Sequence, residues 1–309
     1  MPLTDSHPCR ELLSHLFPTL DIESNLRPSG QRLVYFCRFR CGAAGTPQAD
    51  WHNWGPVVLK VSEDVHPTVI ARLEKEREIL NGLHSPFFPR LLYCDVFSSD
   101  PITDTRLPYR LFVTIEERID GIPLTECRPS FSKEAAVARL LFALVEGLAL
   151  LWEHPQRIIH RDLKPDNILI RRNGAPVIID LGIIREQGVA GLTATHWQMG
   201  PCTPAYASPE QLKNEKRFIT YKSDFFSLGV LSYELLTGHN PFMVSPVEPL
   251  EVVAHRCLTI QPPTLEVIGL AGPALSKLVG RLMAKEPYKR PRTVRELRGA
   301  LEEIVGVSE

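Results

Sequence analysis

The longest apolar pattern in the chain, AAVARLLFALVEGLALLW at residues 135–152, predicts a helix that stops at His154 and Pro155. Its length approaches that of a membrane span, but Arg139 and Glu146 lie seven residues apart on one face, so a buried core helix is expected. Beyond it the period shortens. Ile168, Leu169 and Ile170 form a β-type run, and a second run, VIID, ends in Asp180, with a turn at Asn173 and Gly174 between them. Upstream, RLVYFCRF and VVLKV (57–61) read as strands joined by the loop-like CGAAGTPQADWHNWG, which suggests an antiparallel sheet. LEKEREIL places Leu73, Ile79, Leu80 and Leu83 at helical spacing, and FPRLLYCDVF and RLFVTIEERIDGIPL read as two further strands. SDFFSLGVLSYELLTGHNPF predicts a helix buried through Leu228, Val230, Leu231, Leu235 and Leu236. Two more helix patterns, with Pro287 and Pro291 between them, finish the chain. At the other end, Leu12, Leu13, Leu16 and Phe17 precede Pro18, as a short helix or a loosely attached extension.

Composition narrows the partners. With 309 residues and 44% hydrophobic content the chain supports one large domain or two lobes around a real core. Its 35 basic and 36 acidic residues nearly cancel, so gross electrostatics gives no reason to expect a nucleic-acid or anionic-membrane partner. The seven cysteines include no CxxC pair, and MPLTDSHPCR lacks a basic region followed by an apolar core. Reduced thiols, no signal peptide and a cytoplasmic location are the expectation.

The candidate chemistry lies in HRDLKPDNILI, residues 160–170, a charged loop held between two apolar segments. Asp162 and Asn167 are five residues apart with Lys164 between them, and Asp180 follows at the end of the next strand. A carboxylate able to accept a hydroxyl proton, an amide and a carboxylate able to hold hard cations, and an ammonium to offset phosphate charge are what phosphoryl transfer requires.

These residues resemble the catalytic loop of eukaryotic-type serine/threonine protein kinases. The ordered set VVLK, HRDLKPDN, DLG, SPEQ, SDFFSLG and a late arginine extends the resemblance over about residues 25–303. It implies an α+β, bilobal protein kinase-like fold. After an N-terminal extension (1–20), a small antiparallel-sheet N-lobe with one main helix spans 21–117, and a larger, mostly helical C-lobe spans 118–309. ATP is expected to bind between the lobes with Mg²⁺, and a protein with a serine or threonine hydroxyl is the expected acceptor.

The resemblance also assigns roles. Asp162 accepts the hydroxyl proton, Lys164 stabilises the γ-phosphate, and Asn167 and Asp180 hold the metal. Lys60 contacts the α and β phosphates and is paired by Glu76. Gly30 belongs to the phosphate lid, where SGQRLVY carries Ser29 and Arg32 at positions that the pattern gives to glycine. Val34, Val58 and Leu169 face the nucleotide, and backbone groups at about Glu117 to Ile119 meet the adenine edge. Glu116 falls at the position guarding the back of the pocket, where a carboxylate needs a partner or water. Leu181 replaces the usual aromatic in DLG. Glu210 is expected to pair with Arg290, and Asp224 either holds the catalytic-loop backbone or caps its helix. Arg161 is expected to meet a phosphate on Thr193 or Thr195, or else to anchor backbone or a carboxylate. Two other readings compete: a kinase-like binding scaffold, suggested by the altered lid, Glu116 and Leu181, and a small-molecule phosphotransferase sharing the HxDxxxxN arrangement.

Overall fold

A computed structural model describes residues 9–25, 32–42, 44, 50–64, 78–79, 82–180, 185–186 and 203–307. The chain divides into two compact units, Met1–Ile119 and Asp120–Glu309.

In the first unit a five-stranded antiparallel sheet is built from β1 (Leu20–Asn25), β2 (Arg32–Phe39), β3 (Pro56–Asp64), β4 (Leu91–Ser99) and β5 (Arg106–Glu117), in the order β1-β2-β3-β5-β4. The alternation that predicts β2 and β3 has a direct physical outcome. Leu33, Tyr35, Cys37 and Phe39 share one buried face with Val57, Leu59, Val61, Leu111, Val113 and Ile115. The opposite face carries Val34, Val58, Lys60, Thr114 and Glu116. A one-residue slip would exchange the two faces, so this register is firmly specified.

The N-terminal segment proves to be part of this core. Helix α1 (Cys9–Leu16) buries Leu12, Leu13 and Leu16 on the sheet, and Phe17 just beyond it is 1% exposed. Phe17 meets Phe39, Trp51, Tyr93 and Phe97 with ring centroids 5.7–6.3 Å apart. The stretch read as loop between β2 and β3 contains a short 3-10 helix, Trp51–Trp54, whose two indoles stack at 5.2 Å. His15 Nδ1 lies 2.8 Å from Asp100 Oδ2 and ties α1 to the end of β4; the hydrogen bond holds the Asp100 carboxyl down at about 2. Burial pushes the Cys37 thiol up to about 12, which makes it inert at neutral pH.

The second unit is mostly helical. Its main helices are α2 (Glu134–Trp152), α3 (Pro209–Leu212), α4 (Tyr221–Thr237), α5 (Leu250–Thr259), α6 (Pro273–Leu282) and α7 (Val294–Val307). α2 is apolar enough by length and composition to cross a membrane, yet eleven of its residues are buried inside this unit, and Glu146 pairs with Arg298 of α7. α4 is buried without interruption from Ser223 to Leu236. Thr220 caps its start, accepting from the Lys222 N–H, and Gly238 ends it in the left-handed conformation (φ 76°). Gly229 permits the close approach of α6, because a Cβ there would sit 2.8 Å from Leu282 Cβ.

Short strands complete the unit. β6 (Gly121–Pro123), β8 (Ile168–Arg171) and β9 (Pro176–Ile178) form one antiparallel sheet, and β7 (Ile158–Ile159) pairs with β10 (Arg185–Glu186). The expected β8–β9 hairpin is present. Gly174 takes φ 83°, its N–H donates to Arg171 O, and Arg171 N–H donates to Ala175 O.

Phe17→Ala should cost about 3–5 kcal/mol, as truncation of a buried aromatic generally does. Urea denaturation followed by tryptophan fluorescence checks this. An unchanged midpoint would show that the N-terminal helix is no part of the core.

Candidate active site

The second unit brings Asp162, Lys164, Asn167 and Thr203 into one hydrogen-bonded cluster. Thr203 Oγ1 donates to Asp162 Oδ1 at 2.7 Å. Lys164 Nζ donates to Asp162 Oδ2 at 2.7 Å and to Thr203 Oγ1 at 3.0 Å. Asn167 Nδ2 donates to Asp162 O at 2.8 Å and lies 3.2 Å from Asp162 Oδ2. Each donor fixes one lone pair of a carboxylate that is only 8% exposed. Thr203 shows that Asp162 can receive an alcohol O–H at normal distance.

The loop is held from beneath by Asp224, which is fully buried in the first turn of α4. Its Oδ2 accepts from the His160 N–H at 2.9 Å and Trp152 Nε1 at 2.8 Å, and its Oδ1 accepts from the Arg161 N–H at 2.8 Å. Of the two roles open to Asp224, the cap belongs to Thr220 and Asp224 holds the loop backbone. Burial pushes the Asp224 carboxyl up, while the His160 ring and these donors act in the opposite direction. Burial likewise pushes the His160 imidazole down, which suits its Nδ1 accepting from the Asp162 N–H at 3.3 Å. Arg161 and Asp180 both take left-handed backbone conformations, φ 73° and 62°, which non-glycine residues keep only where their surroundings hold them.

A second tie joins the SPEQ segment to this loop. Gln211 Nε2 donates to Arg161 O at 2.9 Å. Arg290, 0% exposed, meets both Glu210 carboxylate oxygens at 2.6 and 2.9 Å, which is the expected pairing. Sequence patterns gave no sign of Trp152 or Gln211 in these roles. The only available signal was that a buried indole N–H or amide must find an acceptor.

The expected metal residues come together through the hairpin. Ile168 pairs with Ile178, and the Ile179 N–H donates to Asn167 O at 2.9 Å, so Asp180 follows directly beside Asn167. Because the Asn167 amide nitrogen is engaged with Asp162, its Oδ1 remains to serve as a ligand. An amide oxygen and a carboxylate are hard donors that suit Mg²⁺, which commonly takes few protein ligands and completes its shell with phosphate oxygens and water. The described residues contain no cluster of three or more histidine, cysteine or acidic side chains, so a cation here depends on such outside oxygens. Leu169, half-buried, lies on β8 between Pro123 and Val177.

In the first unit Val34, Val58 and Lys60 share the sheet face opposite the core. Val34 pairs with Lys60 across β2 and β3. Lys60 Nζ lies 2.8 Å from Glu116 Oε2, so the partner that Glu116 requires is Lys60 itself. At the end of β5 the Glu117 N–H donates to Arg90 O at 2.9 Å and the Arg118 N–H to Pro56 O at 3.2 Å. Among the described residues the Ile119 N–H enters no backbone hydrogen bond, which makes it the donor of this trio suited to a ligand. Gly30, Glu76, Leu181, Thr193 and Thr195 lie outside the described residues.

Asp224→Ala would strand three buried donors, each costing about 1–3 kcal/mol. We expect a loss of stability of about 3 kcal/mol or more in guanidinium denaturation. A change below about 1 kcal/mol would mean that the loop is held by other means.

Comparison with known proteins agrees with this geometry. Residues 58–300 match the protein kinase domain family. A probable serine/threonine-protein kinase of Streptomyces coelicolor is 31% identical over 238 residues, covering 76% of this chain and 33% of that protein. Serine/threonine-protein kinase Pkn1 of Myxococcus xanthus is 36% identical over 192 residues, covering 61% of this chain and 27% of that protein. Serine/threonine-protein kinase PknB of Mycolicibacterium smegmatis is 34% identical over 197 residues, covering 63% and 30%. This chain thus spans about a third of the length of those relatives. The family match extends over most of the 309 residues, and the sheet unit and the helical unit are the two lobes expected of it: the chain belongs to the protein kinase domain family.

Proposed function

We propose that the chain is a serine/threonine protein kinase domain that transfers the γ-phosphate of ATP to a serine or threonine hydroxyl of a protein. The observation that carries this reading is the Thr203 hydroxyl on Asp162 Oδ1 at 2.7 Å, with Lys164 bridging the same carboxylate and hydroxyl.

Asp162 orients the incoming hydroxyl and takes its proton as the hydroxyl oxygen bonds to the γ-phosphorus and the bond from phosphorus to the β-phosphate oxygen breaks. Asn167 fixes the Asp162 carboxylate through its Nδ2, which leaves its Oδ1 as the atom that would serve as a metal ligand. Lys164 offsets negative charge on the transferring group, and Lys60 does so at the α and β phosphates. Mg²⁺, held by Asn167 and Asp180, neutralises phosphate charge when bound. The Ile119 N–H meets the adenine edge, with Val34 and Val58 against the base. Little covalent chemistry is asked of the protein, so alignment and charge stabilisation account for most of the acceleration.

The protein acceptor is favoured over a small molecule because Thr203, a threonine hydroxyl borne on polypeptide, touches the proposed base directly. A transferring enzyme is favoured over a scaffold because the proposed base, amide and metal carboxylate are assembled within one unit.

Asp180→Ala should lower phosphate transfer by about 100-fold or more, since loss of a preorganised charge commonly costs on the order of 3 kcal/mol in the barrier. Radiolabelled transfer from ATP to a generic serine/threonine protein acceptor measures it, with circular dichroism to confirm the fold. Wild-type transfer by this variant would refute the assignment.

A further inference from the structure

Glu116 is the charged residue that the family reading does not explain. The guard position it occupies is usually apolar, and the resemblance gives the role of counter-ion for Lys60 to Glu76. The structure gives Glu116 a specific task within the sheet. Lys60 on β3 stands directly opposite Thr114 of β5, and Val58 stands opposite Glu116. Lys60 and Glu116 are therefore diagonal neighbours on one face, a separation that two long side chains can span. They meet at 2.8 Å, and their side chains are only 11% and 9% exposed.

Both strands are fixed from the other side. Leu59, Val61, Val113 and Ile115, which alternate with these polar positions, are all 0% exposed. Shifting either strand by one residue would drive the ammonium or the carboxylate into that core, so the relative position of the two charges is set by the sheet. A pair so little exposed is weakly screened, so each charge acts strongly on the other. An unpaired carboxylate here would be a liability; at 2.8 Å from Lys60 it orders that ammonium.

We propose that Glu116 is a positioning residue for Lys60, a strand-borne counter-ion that keeps the ammonium charged and aimed for the nucleotide phosphates. The proposal rests on the reading of Lys60 as the residue that meets those phosphates. A counter-ion on the neighbouring strand moves only if the sheet deforms, so this part of the site is organised before any nucleotide arrives. Preorganisation of that kind appears in kcat/KM for ATP, because the Lys60 contact is made on binding and strengthens as negative charge collects on the β-phosphate oxygen when its bond to the γ-phosphorus breaks.

Two measurements on the full chain test it, using Glu116→Gln and Glu116→Leu. The first needs no turnover: the rate of Lys60 acylation by an activated ester at pH 7, without nucleotide, quantified by peptide mass spectrometry. Loss of the carboxylate lowers the pKa of the ammonium and exposes more free amine, so at least a fivefold faster acylation of Lys60 is expected. An unchanged rate overturns the proposal. The second is steady-state kinetics, in which Glu116→Gln should lower kcat/KM for ATP about tenfold while the KM for the protein acceptor stays within threefold. A change in acceptor KM as large as the change in kcat/KM for ATP would indicate general structural damage and also overturns it. Wild-type chain that transfers no phosphate would defeat the kinase reading and with it the phosphate-positioning role, while the acylation rate would still report the Lys60–Glu116 pair by itself. The leucine variant guards against a result peculiar to glutamine, and both variants should retain the wild-type circular dichroism spectrum.

Discussion

A carboxylate sealed inside an apolar helix organises the second unit. Asp224 is enclosed on all sides of α4, so it cannot reach water, and the groups that satisfy it must be brought to it. The N–H groups of His160 and Arg161 and the indole of Trp152 do so. This sets the loop's path, and it accounts for Arg161 holding a left-handed backbone that an arginine does not adopt by preference. Once residues 160 and 161 are fixed, Asp162 has little freedom. Asn167 then closes the loop on Asp162 O, and Gln211 closes it on Arg161 O. The side chains proposed to do chemistry are the last members of a chain of constraints that begins in the core.

The same principle operates in the first unit. An apolar sheet face is made rigid by alternation, and the other face carries the charges. Glu116 and Lys60 each make the other tolerable in a nearly dry setting. Buried ion pairs are poor sources of net stability, and their value here lies in geometry. The Glu210–Arg290 pair serves similarly, with a guanidinium that also donates to Ala284 O, Lys222 O and Lys285 O and so gathers three segments around one point.

Much of this was legible in the sequence, and the reason differs by element. Strands β2, β3, β4 and β5 announced themselves because one face of each had to be apolar. The β8–β9 hairpin was readable because Asn173 and Gly174 leave few alternatives for the turn. Strand β1 was not read: LDIESN is half polar, as an edge strand can be, and its pairing with β2 is bulged between Ile22 and Ser24. The place of α1 in the core was left open because a single amphipathic turn or two shows which side is apolar but not what covers it. At the site, Asp162, Asn167 and Asp180 carried a local spacing, whereas Trp152, Gln211 and Glu116 act through partners distant in sequence. Hydrogen bonds of that kind leave no period in the chain, and only the rule that buried polar groups need partners hints at them.

In the proposed function this scaffold holds the Asp162 carboxylate to accept a hydroxyl proton during phosphate transfer. Single-turnover transfer from Mg²⁺-ATP to a serine/threonine protein acceptor, wild type beside Asp162→Asn, examines it most directly, because asparagine keeps the shape and removes the base. Measurable transfer by the wild type and a fall of about 100-fold or more in the variant are expected, with ATP affinity little changed. Equal rates in the two proteins would contradict it.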